Sequence, residues 1–178
     1  MDLSILNDAA AAFKAGNQSS RFSQKLLQCC GARKWVAEML TKFPVRGVDE
    51  LYQAADAADA TLTRDDWLEA FAAHPKIGRA KQPIKAWEAQ EQKATKDADD
   101  AVLDRFEELN DAYYDTFGYT YIVCATGKTA LEMLHILESR MGNSPEDELA
   151  VAAAEQSRIT KLRLVKLVQE LRIARSEL

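Results

Sequence analysis

Three side chains in this sequence combine a capacity for proton transfer or anion binding with a position that turns them inward. His74 is one of two histidines and opens the run His74-Pro75-Lys76-Ile77-Gly78. Trp67, Ala70, Phe71 and His74 recur at the helical period, so the imidazole shares a face with two large aromatic rings. Pro75 ends that helix, because the residue before a proline is disfavoured in the α conformation and proline lacks the next backbone donor. Partial negative charge at a helix C-terminus favours an imidazolium while burial opposes it, a balance that suits a group exchanging protons. Glu91 follows Trp87 by one helical turn, and an acid on an indole face is costly unless a donor or cation meets it. Arg163 falls on one helical line with Gln156, Ile159 and Leu167, and a guanidinium so flanked needs oxygen partners from substrate or from Glu91. Each residue also has a plainer reading: a core histidine bonded to a carbonyl, an exposed acid over Trp87, a guanidinium snorkelling to the surface.

The elements that must position these groups read as helices. Ile5, Leu6, Ala9 and Phe13 form a first amphipathic stretch ended by Gly16 and Asn17. Ser19 or Ser20 caps a second, carrying Phe22, Leu26 and Cys29 or Cys30 inward as far as Gly31. Trp35 to Phe43 and a stretch from about Val48 follow. Thr63, with Asp66 three places on, starts the helix that reaches His74. A short helix from about Ile84 carries Trp87, Glu88, Glu91 and Gln92, and Val102, Phe106, Leu109 and Tyr113 make a strong apolar stripe from about Asp99 to Phe117-Gly118. Lys128 to Met141 and a long segment from Ser144-Pro145 to about Ile173 complete the series, with His135 a structural residue at the edge of its stripe.

Between these helices, Tyr119-Thr120-Tyr121-Ile122-Val123-Cys124-Ala125 is β-branched and aromatic, with no second strand in sight to pair with it. Its backbone groups must be satisfied by helix ends, side chains, water or a ligand. Such a segment is either a substrate shelf or a buried connector.

Composition agrees with an all-α, single-domain helical bundle over residues 1–178, with a short extended segment near 119–125. The 178 residues contain only 7 Gly and 4 Pro, few punctuators for that length. A net charge of −5 with interspersed bases gives no nucleic-acid footprint. The 3 cysteines, two adjacent at Cys29-Cys30, make neither a disulfide framework nor a zinc spacing. No basic region precedes an apolar core at the N-terminus and no apolar run is long enough to span a bilayer, so the expectation is a cytoplasmic protein with no membrane partner.

Taken in order, the chain resembles the 2-oxo-4-hydroxy-4-carboxy-5-ureidoimidazoline (OHCU) decarboxylases of urate breakdown, which form (S)-allantoin. The resemblance runs from about Phe71 to Leu171. It rests on His74-Pro75 with Ile77-Gly78, Glu91-Gln92, Leu109-Asn110 with Tyr113 and Phe117-Gly118-Tyr119, Ile122-Val123-Cys124-Ala125 with Gly127-Lys128, Arg140 with Gly142-Asn143, and Ile159 with Leu162-Arg163-Leu164. Carried over, it implies that His74 is catalytic with Glu91 assisting. Pro75, Glu88, Gln92, Tyr121, Ile122, Val123, Cys124, Ala125 and Arg163 would bind substrate. It further implies no cofactor, no metal, a small-molecule substrate and a homodimer. The chain departs from the pattern at Glu88, where a serine usually stands, at Lys93-Ala94 after the Glu-Gln pair, and at Thr126 in place of an arginine. These departures leave two alternatives: a related enzyme acting on another ureido-imidazoline or hydantoin, and a non-catalytic helical adaptor.

Overall fold

Thr63 opens the helix that leads to His74 as expected. Its backbone N–H donates to Asp66 Oδ2 at 2.8 Å, and Asp66 N–H returns to Thr63 Oγ1 at 3.4 Å. That helix is one of eight among the residues described by this computed structural model, which are 1–17, 21–78 and 98–176. They are α1 (Ser4–Lys14), α2 (Phe22–Cys30), α3 (Arg33–Lys42), α4 (Val48–Asp59), α5 (Arg64–Ala72), α6 (Asp100–Phe117), α7 (Ala130–Arg140) and α8 (Pro145–Ser176). No strand occurs among the described residues, so the all-α expectation holds. The caps expected at Ser19 or Ser20, and the helix expected to carry Trp87, Glu88, Glu91 and Gln92, lie outside the described residues.

Contacts divide the chain into two compact units, residues 1–70 with 157–178 and residues 71–156. In the first, α1 packs on α2, α2 on α3 and α3 on α4. Its core takes Leu6, Phe22, Leu26, Trp35, Met39 and Leu51, together with Leu164, Leu167 and Val168 from the last turns of α8. Phe22 meets Phe43 edge to face at 5.4 Å. Cys29 and Cys30 are buried free thiols here. Burial pushes the Cys30 thiol up to about 12 and the Cys29 thiol well above its ordinary range. Both therefore stay protonated and act as apolar filling.

In the second unit α6 packs on α7. Tyr113 is the hub of an aromatic cluster, with Phe117 at 4.7 Å, Tyr121 at 5.5 Å and Tyr119 at 5.8 Å between ring centroids. Gly118 closes α6 with φ +81, a left-handed conformation that side chains rarely adopt. The boundaries correct the sequence reading at three places. Helix α5 stops at Ala72, two residues short of His74; α7 starts at Ala130 because Thr129 and Glu132 form a reciprocal cap; and α8 continues to Ser176. His135 is solvent-exposed. No helix among the described residues is long and apolar enough to cross a membrane.

Candidate active site

His74 sits in the turn that closes α5, its backbone N–H donating to the Phe71 carbonyl at 3.0 Å. It is half-buried rather than fully inward. Its Nε2 lies 2.7 Å from Oε1 of Gln156, a residue on α8 with 0% exposure. The chain that follows is held from α6: Asn110 Nδ2 donates to the Ile77 carbonyl at 2.8 Å, and Lys76 pairs with Asp111 at 2.6 Å. Gly78 then turns with φ +131, where a Cβ would lie 3.8 Å from Phe106 Cβ. Pro75, half-buried, is thus fixed between two anchored residues.

Residues 119–125 follow α6 outside any helix, and Tyr121, Ile122, Val123, Cys124 and Ala125 are all buried. Side chains, with one backbone turn, satisfy several backbone groups of this segment. Arg140 Nη1 donates to the Ile122 carbonyl at 2.7 Å. Cys124 N–H donates to Glu155 Oε2 at 2.7 Å, Lys128 Nζ to the Cys124 carbonyl at 2.7 Å, and Lys128 N–H to the Ala125 carbonyl at 3.1 Å. Tyr121 adds a side-chain anchor, its hydroxyl donating to the Met133 carbonyl at 3.1 Å. Burial pushes the Tyr121 hydroxyl well above the ordinary phenol range, so it remains a donor. Four backbone groups of a stretch that has no sheet to pair with are thus met by Arg140, Glu155 and Lys128.

Behind the segment lies a buried ionic network. Arg140 gives Nε at 2.8 Å and Nη2 at 2.5 Å to Glu148 Oε1 and stacks 4.8 Å over the Tyr121 ring. Glu148 also accepts from the Tyr113 hydroxyl and, on Oε2, from Asn143 Nδ2 at 2.7 Å. Burial and the bond to Glu148 push the Tyr113 hydroxyl well above its usual range, which keeps its proton in place. Burial disfavours the Arg140 cation, but Glu148 outweighs this and raises its pKa. Every face of the ion pair finds a partner, which is the condition for tolerating buried charge.

Arg163 is buried, 3% exposed, as its helical line implied, and does not snorkel. Its described partner is the Gln28 carbonyl at 3.2 Å, while Thr160 Oγ1 lies 3.4 Å from the Cys29 carbonyl. Both carbonyls belong to the last turn of α2, whose orphan acceptors these side chains satisfy. Neither Glu91 nor a ligand is needed for that bond.

The sequence reading placed Gln156 on the inward line but gave it no role, and missed Glu148 and Glu155. The signal was present. Continuing the line of Leu167, Arg163, Ile159 and Gln156 one and two turns back reaches Ala152 and Glu148, all of them buried. A carboxylate on a core-facing helical line requires a cation, and Arg140 is that cation. Among the described residues, no group of three or more His, Cys, Asp or Glu side chains could hold a metal ion.

Consecutive residues of α8 thus meet an imidazole and an extended segment in an all-helical protein. Comparison with known proteins gives this helical class a family. The OHCU decarboxylase family model matches residues 17–165. The uric acid degradation bifunctional protein TTL of Arabidopsis thaliana is 36% identical over 148 residues, 80% of this chain and 46% of that protein. The chain thus spans about half the length of that bifunctional relative. The 2-oxo-4-hydroxy-4-carboxy-5-ureidoimidazoline decarboxylase of Haloferax volcanii is 28% identical over 134 residues, 74% of this chain and 80% of that protein. Among solved structures, an OHCU decarboxylase crystallised in the presence of (S)-allantoin superposes with a TM-score of 0.71 at 35% identity, covering 80% of this chain and 96% of that one. The chain belongs to the OHCU decarboxylase family.

Proposed function

We propose that the protein converts OHCU to (S)-allantoin at a site organised by His74, as one functional domain over residues 1–178 and as a homodimer in the cytoplasm. The observation that supports this most is the pair of contacts from consecutive residues of α8, Glu155 to Cys124 and Gln156 to His74. They bring an acid–base group and an anchored segment to the same turn of one helix. The substrate carries its carboxylate on a ring carbon next to an unsaturated carbon. Electrons of the breaking C–C bond pass into the adjacent unsaturated bond as CO2 leaves, the resulting enol gives up its hydroxyl proton to become a carbonyl, and a proton is added to the neighbouring, formerly unsaturated carbon that bears the ureido group, so the substrate is its own electron sink. Proton exchange and orientation are what the protein must supply. His74 acts as general acid and base at the substrate hydroxyl and at the carbon that is reprotonated. Glu91 and Gln92 hold ureido and ring nitrogens, and Pro75, Glu88, Tyr121, Ile122, Val123, Cys124 and Ala125 complete the binding surface. Arg163 engages a ring or ureido oxygen rather than the departing carboxylate, because gripping that anion would stabilise the ground state more than the transition state.

The test is to add the purified protein to freshly generated OHCU and follow its decay and the optical activity of the product. Decay faster than the spontaneous rate with one enantiomer formed is expected. Decay at the spontaneous rate to racemic allantoin would leave the adaptor reading in its place.

Two variants probe the binding assignments. Arg163→Lys should lower kcat/KM nearly as much as Arg163→Ala, since a point charge cannot reproduce a planar fork. Unchanged kinetics with a lowered melting temperature would reduce Arg163 to its bond with Gln28 at the end of α2. Glu91→Gln should cost about 1–3 kcal/mol, or roughly ten- to a hundredfold in rate, by turning an acceptor oxygen into a donor. Glu88→Gln should cost less, because it removes a charge at a position where the family uses serine. Greater damage from Glu88→Gln would point to a rearranged site suited to a different ureido compound.

A further inference from the structure

We infer that Gln156 is a positioning residue for the reaction: it fixes the ring plane of His74 and holds its Nε2 as the protonated, donating nitrogen. This rests on the assignment of His74 as the acid–base group. The geometry is a 2.7 Å contact between His74 Nε2 and Gln156 Oε1, joining residues 82 apart in sequence. Gln156 is wholly buried, with 0% exposure, whereas His74 is half-buried. An amide carbonyl at that depth has lost its water and accepts a hydrogen bond or bears the desolvation cost. It accepts one from an imidazole only if Nε2 carries the proton, and the neutral ring then has its basic lone pair on Nδ1.

The neighbouring residue gives the contact its consequence. Glu155 takes the Cys124 N–H at 2.7 Å, so one turn of α8 sets both the imidazole and the segment expected to bind substrate. A glutamine suits this duty better than a glutamate. A carboxylate at the same place would stabilise the imidazolium and hinder its return to the neutral base, whereas a neutral amide orients the ring without biasing its charge so strongly.

The test uses the whole chain and begins without substrate. Because there are 2 histidines, selective 15N labelling of histidine gives two imidazoles, and the His74→Asn variant assigns them. Above its titration, wild-type His74 should be the Nε2–H tautomer, with an Nε2 proton slow to exchange with water. Gln156→Leu, close in volume, should lose that slow proton and lower kcat by about ten- to a hundredfold, the scale of a misplaced catalytic group, with KM changed far less. Gln156→Glu should fold and should raise the titration of His74 by about 1–3 pH units, displacing the acid limb of the kcat/KM profile with it. A wild-type His74 that is protonated at Nδ1 when neutral, or a Gln156→Glu variant with an unmoved titration, overturns the inference. Those spectra do not depend on turnover, so they separate this failure from failure of the OHCU assignment, which the wild-type assay alone decides.

Discussion

Replacing His74 with asparagine should lower turnover by roughly 10²–10⁴-fold, the usual worth of a positioned acid–base group, and leave the helical circular dichroism spectrum unchanged. Asparagine keeps a polar planar side chain in the turn after α5 but cannot take up and return a proton at neutral pH. The fold should tolerate it because the backbone there is held by groups other than the imidazole. His74 N–H donates to the Phe71 carbonyl, and the Ile77 carbonyl accepts from Asn110. The buried Gln156 amide loses its described imidazole partner, and that loss costs about 1–3 kcal/mol of stability, visible as a lower melting temperature. Steady-state kinetics should show the deficit in kcat more than in KM, because proton transfer is needed in the transition state and not for binding. A folded His74→Asn protein working within a few-fold of wild type would remove His74 from the chemistry.

How far the sequence foretold this arrangement depends on whether the determinant is local. The Thr63 and Asp66 cap, the Gly118 stop and the Ser144-Pro145 start all rest on contacts within four residues, and the helices begin or end close to them. The helical line through Gln156, Ile159 and Arg163 was likewise legible, since burial at a period of 3.6 is a property of one helix. What could not be read was which groups face those residues. Arg163 meets the Gln28 carbonyl, 135 residues away, and no side-chain pattern announces a backbone acceptor. Glu155 lies half-buried beside the line and looks like a surface acid until the Cys124 N–H, 31 residues earlier, is seen against it. The extended segment at 119–125 was recognised by its β-branched and aromatic residues. Which groups hold it could be read only from the three-dimensional structure. Glu91 was singled out by its spacing from Trp87 as well as by the family pattern, whereas Gln92 and Glu88 owe their assignment to the family pattern alone.

The largest stability effect should come from breaking the Arg140–Glu148 pair on one side. Arg140→Met leaves Glu148, at 0% exposure, with the Tyr113 hydroxyl and Asn143 amide but no cation, and leaves the buried Ile122 carbonyl without its donor. Removing one member of a buried ion pair costs about 3–5 kcal/mol, which for a chain of this size lowers the melting temperature on the order of 10 °C. Exposed pairs such as Arg46–Glu50 are screened by solvent and should contribute little, so Glu50→Gln serves as a control. The double change Arg140→Met with Glu148→Leu removes both charges from the interior and should regain much of the lost stability, because an apolar pair escapes the desolvation that the ion pair had to offset. Activity should not return with it. The Ile122 carbonyl would still lack Arg140 Nη1, and Tyr121 would lack the guanidinium stacked on its ring, so the segment would be stable but no longer held in one register. Urea unfolding and turnover measured on the same three proteins decide between two roles. If the double variant recovers stability and full turnover together, the network serves folding alone, and the anchoring of Ile122 has no part in binding substrate.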